Sequence, residues 1–315
     1  MHVKTIRLLG VLRRWALLTP MMMAPVLAAP LSTTTATATS PTKTAPVAGT
    51  PLQITVYNAP AQSFHVNAVV VTGATEAVVI DTGFSRADAL RIAAHVLDSG
   101  KTLTAILISN ADPDFYFGAE VLKAQFPTAK VLSTAAVRDK IAAKMASKVA
   151  FWAPKMAANA PRQPILPDLL PQDQWRVDGE VIQMRGTQGV LAHRPYAYIP
   201  SIDAIVGNIA IFHNLHVWTA DTQSPAEIAA WQAQLDEIAR LQPRLVVPGH
   251  MAPGSAQDIT AIDYTRTYLQ RFTKAANNSA NSAELIKQMQ AAYPSAGLSI
   301  ALDIGAKVRM GEMRW

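Results

Sequence analysis

The apolar run Leu103 to Ile108 ends in the polar loop Ser109-Asn110-Ala111-Asp112-Pro113-Asp114-Phe115-Tyr116-Phe117-Gly118, and a helical pattern begins near Ala119. A short apolar run bounded by turn residues reads as a buried strand, so the loop joins a strand to a helix. Two of its residues carry chemistry. Asp112 and Asp114 place carboxylates two positions apart, and in a dry cleft they repel if both are ionised. An empty site should then raise one pKa, whereas a bound cation removes the penalty.

The chain around this loop alternates between the two periodicities. Strand signals lie at Ile54 to Tyr57, Ser63 to Thr72, Ala77 to Ile80, Leu103 to Ile108 and Lys130 to Ser133. Helical patterns cover Arg86 to Asp98, Ala119 to Phe126 and Ala135 to Val149. The order starts antiparallel and becomes β-α-β, which specifies a mixed α/β layout. Residues 151 to 174 are rich in proline and read as an irregular insertion that covers a pocket. Four further strands follow, at Trp175 to Val177, Glu180 to Met184, Tyr196 to Ile199 and Ala204 to Val206. Ser224-Pro225-Ala226-Glu227 then combines an N-cap Ser, a Pro at the first helical position and Glu at the third. That helix should run to Leu241, with a last strand at Leu245 to Val247 delivering Pro248-Gly249-His250. Helices are expected from Asn281 to Tyr293 and from Ser299 towards Trp315.

The ends set the compartment. Residues 1–28 carry Lys4, Arg7, Arg13 and Arg14 without an acidic residue, then an apolar run from Trp15 to Ala28. This is the pattern of an export signal, too short to span a bilayer, and implies a periplasmic or secreted protein with no stable membrane span after its removal. Arg13-Arg14 also resembles a twin-arginine signal. Residues 29–51 are dominated by Thr, Ser, Ala and Pro and read as a flexible linker. The folded domain is placed at 52–275, with a helical C-terminal extension at 276–315. Of 28 Lys and Arg, four lie in the leader, leaving 24 against 22 Asp and Glu. Near-neutrality excludes a nucleic-acid partner and leaves a small molecule. The absence of cysteine excludes disulfides and thiolate metal ligands.

Ile80-Asp81-Thr82-Gly83, the loop at 109–118 and Pro248-Gly249-His250 together resemble, in order and spacing, the strand-end motifs of the metallo-β-lactamase superfamily. The resemblance implies an αββα sandwich, with Asp81 supporting the loop from behind. It also implies metal ligands at Asn110, Asp112, Asp114, Phe115 and His250, a bridging position at Asn208 and a further histidine near Gln188 to Val190. Three expected histidines read Asn110, Asp112 and Phe115, and Phe115 cannot ligate. His193 falls three to five residues late and reads as an exposed loop residue that binds nothing. What remains is Asp112, Asp114 and His250, with Asn110 and Asn208 as amide oxygen donors. That set suits one divalent ion, zinc, manganese, iron or magnesium, rather than a zinc pair. Tyr116, His216 and Trp218 are the candidate substrate-binding residues. Together with Ile199-Pro200-Ser201 and Gly311-Glu312-Met313-Arg314-Trp315, these segments look like an exported bacterial branch of the superfamily. Two readings follow. One is a metal-dependent hydrolase of a small ester, lactone or amide, with Asp114 orienting the water. The other is a binding protein that kept the cleft and lost catalysis.

Overall fold

The structure is a computed structural model and describes residues 51–315. The expected export signal and, apart from residue 51, the expected linker lie outside the described residues. Strands run β1 (Gln53–Asn58), β2 (Asn67–Thr72), β3 (Glu76–Ile80), β4 (Thr102–Ile108), β5 (Lys130–Ser133), β6 (Asp168–Leu169), β7 (Gln174–Val177), β8 (Glu180–Arg185), β9 (Tyr196–Ile199), β10 (Ala204–Asn208), β11 (Phe212–His213), β12 (Leu245–Val246) and β13 (His250–Met251). Helices are α1 (Arg86–Ser99), α2 (Pro113–Tyr116), α3 (Ala119–Gln125), α4 (Ala135–Met156), α5 (Pro225–Arg240), α6 (Thr260–Asn277), α7 (Ser282–Ala292) and α8 (Ser299–Arg309).

The first six strands form one sheet in sequence order, antiparallel from β1 to β3 and parallel from β3 to β6. A second sheet has the order β12-β10-β9-β8-β7. Successive side chains of a strand point to opposite faces, and this alternation divides the buried residues into two cores. Val69, Val71, Val78, Ile80, Ala105 and Leu107 meet Ile182, Met184, Ile199 and Val206 of the second sheet. Their neighbours Val70, Val79, Ile106 and Ile108 instead join the helix-side core with Ile92, Val96 and Leu122. Both faces of these strands are covered over Ala77 to Ile80 and Ala105 to Ile108, which is why those stretches are apolar throughout.

Four differences from the sequence reading matter for the site. The strand expected from Ser63 starts at Asn67, because Ala61–Ser63 forms a short 3-10 turn and Phe64 and His65 adopt left-handed φ values of 58° and 55°. Helix α4 continues to Met156 through Pro154, so the irregular insertion begins later than residue 151. Met145, Val149, Trp152 and Met156 keep a 4-3-4 spacing and pack on the core, which overrides the backbone hydrogen bond lost at the proline. Residues 168 and 169 of that insertion also add β6 to the sheet edge. Finally, the expected boundary at 275/276 falls inside α6, a helix absent from the sequence reading. Leu285, Met289 and Leu302 of α7 and α8 belong to the same core, so these helices are part of the domain.

Candidate functional site

The site begins where β3 and β4 end. Asp81, at φ 63°, accepts the backbone N–H of Ser109 at 2.8 Å and its hydroxyl at 2.7 Å. Burial pushes the Asp81 carboxyl up to about 7, against the pull of these two bonds. Thr82 adds its N–H and hydroxyl to Phe115 O at 2.9 and 3.0 Å. Gly118 closes the loop, since a Cβ there would collide with Thr82 O. The loop is therefore held from behind on three residues, and Pro113 at the first position of α2 turns Asp114 inward.

The second half of the chain supplies the facing wall. Asn67 binds Gly249 O through its N–H and Pro248 O through its side chain, both at 2.8 Å, and β13 pairs with β11. This delivers His250 beside Asp114, with Nε2 and Oδ2 3.5 Å apart. Nδ1 lies 2.9 Å from Phe64 O. A carbonyl only accepts, so Nδ1 carries the hydrogen and Nε2 presents its lone pair to Asp114. Phe212 stacks on the imidazole at 4.8 Å and Phe115 meets it edge-on at 5.6 Å. The two groups are buried to 7% and 4% exposure. Burial, with Asp112 adding to it, pushes the Asp114 carboxyl well above the ordinary carboxylate range, and burial pushes His250 down to about 4. Both shifts favour the uncharged pair.

Asp112 points elsewhere. Its Oδ1 faces Lys148 Nζ of α4 at 3.6 Å, and the side chain keeps 25% of its surface exposed. Burial and then Asp221 raise its pKa, while Lys148, Arg194 and Lys140 oppose them. These groups floor a cleft walled by Phe64, Phe84, Trp152, Phe212, Trp218 and Trp315. It encloses about 500 Å³ of empty space counted to its open mouth. A smaller polar chamber, bounded by Asn110, Lys140, His193 and Arg194, shares Asp112, Ile209, Trp218 and Asp221 with it.

Residues 62–198 match the family model described as the metallo-beta-lactamase superfamily. Among solved structures the chain is similar to a metallo-beta-lactamase family protein from Thermus thermophilus, 16% identical with a TM-score of 0.57 over 83% of this chain and 93% of that one. It is also similar to a metallo-beta-lactamase from Pontibacter korlensis, 17% identical with a TM-score of 0.50 over 70% and 96% of the two chains. No curated protein matches the chain by sequence. At these identities the structural likeness establishes the fold.

The superfamily's metal chemistry needs donors that this domain does not assemble. Among the described residues no group of three His, Asp or Glu side chains is placed to hold an ion. Asn110 turns its Oδ1 onto the Asp112 N–H at 2.8 Å. Asn208, wholly buried, spends its amide on Val247 O and the Ile211 N–H at 3.1 and 2.9 Å, so it offers the cleft nothing. Phe115 meets His250 with a ring that cannot ligate. The Lys148 ammonium offsets the carboxylate charge that a cation would otherwise neutralise. Asp114 and His250 thus lie side by side while Asp112 faces Lys148, and the residues present do not fit a divalent metal.

The substrate-binding candidates divide in the same way. Trp218 lines the cleft, with its indole N–H on Asp221 at 2.7 Å and its ring 5.1 Å from Trp315. His216 is buried against the Tyr268 hydroxyl at 3.0 Å, and Tyr116 is packed on Phe117, so neither lines the cleft. Each has an apolar neighbour that holds it in the core. His193 is half-buried in the polar chamber, not a free loop residue. Lys148, Lys140, Trp152 and Arg194 were missed. The first three share one face of α4 at intervals of eight and four, a stripe visible in the helical pattern once α4 is known to reach the cleft.

Proposed function

We propose that the domain hydrolyses a small ester, lactone or amide at the Asp114–His250 pair without a metal centre. The contact between those two side chains at the cleft floor carries the reading. Asp114, with its raised pKa, is a stronger base than an ordinary carboxylate and takes a proton from a water held at His250 Nε2. The hydroxide adds to the substrate carbonyl while the Lys148 ammonium, steadied by Asp112, faces the developing oxyanion. Collapse of the tetrahedral species breaks the bond to the leaving alkoxide or amine, which takes the proton back from Asp114. The aromatic walls exclude bulk water and accept an apolar substrate body. An exported location belongs to the same proposal, on the pattern of residues 1–28, and fractionation of the native cell tests it.

The second reading is a binding protein without turnover, favoured by Phe115 and Phe212, which shield the imidazole of His250. Rates against aryl esters and lactones, with and without chelator, separate the two. The proposal expects activity that survives chelator and falls on the order of 10²-fold in Asp114→Asn and in Lys148→Met. Loss of activity with chelator would restore a metal-dependent mechanism. Ligand binding with no turnover under any condition would leave the second reading.

A further inference from the structure

We infer that the polar chamber beside the cleft is a subsite for a carboxylate, so that the preferred ligand is an amphipathic monoanion with its apolar body in the aromatic cleft. The inference rests on the cleft being the ligand site, as proposed above, and not on turnover. Arg194 is 4% exposed and lies with its guanidinium 4.2 Å over the Trp231 ring. It donates to the Thr222 hydroxyl and to Ile209 O, which fix it through two terminal nitrogens. A guanidinium has five N–H donors, so capacity remains for the chamber that it lines.

The two carboxylates on the chamber wall are already engaged. Asp112 faces Lys148 at 3.6 Å, and Asp221 accepts the Trp218 indole N–H at 2.7 Å. Lys140 takes part in neither contact. Lys140 and Arg194 share the chamber wall with Asp112 and Asp221, and Lys148 of the adjoining cleft takes up the Asp112 charge, which leaves Lys140 and Arg194 for a ligand anion. Burial and then the Lys140 and Arg194 cations push His193 down to about 4, against Asp221 and Glu227. The chamber is smaller than the cleft, with about 290 Å³ of empty space counted to its opening. Charge-assisted hydrogen bonds from lysine and arginine are the strong ones, and in a partly buried site they discriminate an anion from its neutral analogue.

Calorimetric titration of the full chain with 4-phenylbutanoate and with 4-phenylbutan-1-ol tests this. The acid should bind on the order of tenfold tighter than the alcohol. Lys140→Met should abolish that ratio and leave alcohol binding unchanged, Lys140→Arg should retain it, and Lys144→Met, one turn along α4, should not alter it. Equal affinity for acid and alcohol in the wild type, or an unchanged ratio in Lys140→Met, overturns the subsite. Preferential acid binding by a chain that hydrolyses nothing upholds the subsite and refutes only the hydrolase reading. If neither probe binds, both fall.

Discussion

His250 concentrates the energetics of the site in one side chain. Its imidazole has given up water for two aromatic rings, a carbonyl and a neutral carboxyl, and in exchange its pKa falls from 6.5 to about 4. Between those values the unfolded chain binds a proton that the native state refuses. Stability from this residue is therefore complete above about 6.5 and is lost as pH falls towards 4, by up to about 3 kcal/mol. Denaturant titrations at pH 7 and pH 4.5 should show a smaller acid-dependent loss in His250→Gln than in the wild type. An equal loss in both chains would place the acid sensitivity elsewhere. The Asp114 carboxyl, pushed up, has the opposite sign, and the rate of hydrolysis should accordingly rise with pH as the proton leaves the pair. A rate that declines from pH 5 to pH 8 contradicts Asp114 as the base.

At the scale of elements, the loop between β4 and α3 and the start of α5 position the two sides of the cleft. Gly118 lets the loop close on β3, and Gly118→Ala drives a Cβ into backbone that cannot move away. The expected cost is about 3 kcal/mol or more, with loss of cleft binding, read from a shift in denaturation midpoint. Ser224 caps α5, accepting the Glu227 N–H at 3.2 Å, while Glu227 reaches back to the Ser224 N–H at 3.0 Å. Ser224→Ala should cost only about 1 kcal/mol and leave ligand affinity within twofold of wild type, roughly the noise of such measurements. A large affinity loss there would mean that the α5 start, not the cleft wall, sets the geometry of Asp221 and Trp218. Helix α4 does the converse task. Its apolar stripe binds the core while its lysine face brings Lys148 to the cleft and Lys140 to the polar chamber.

Across the whole molecule, two sheets pack face to face and the site forms where loops from both halves meet at one end. No helix among the described residues is long and apolar enough to cross a membrane. Because no donor set of three is assembled, zinc or manganese at about 100 µM should leave the thermal midpoint within about 1 °C of the chelated protein. A rise of several degrees would identify a cation site and reverse that conclusion.

The sequence alone determined a mixed α/β layout, and the resemblance of its strand-end motifs implied the sandwich. Period-two apolar strands, helical stripes and the Ser224 cap are local signals, and Asp-Thr-Gly, the 109–118 loop and Pro-Gly-His mark strand ends by chain order. They brought Asp81, Asp114 and His250 into view because backbone hydrogen bonding ties each to its own strand. The tertiary structure decided what each side chain spends its polar atoms on. Asn208 and Asn110 satisfy nearby backbone, His216 bonds a tyrosine 52 residues away, and Asp112 meets a lysine 36 positions along the chain. Such pairings depend on where α4 and α6 pack, and burial makes most polar groups take a partner, so chemistry inferred from residue type alone gives way to whichever partner packing brings within reach.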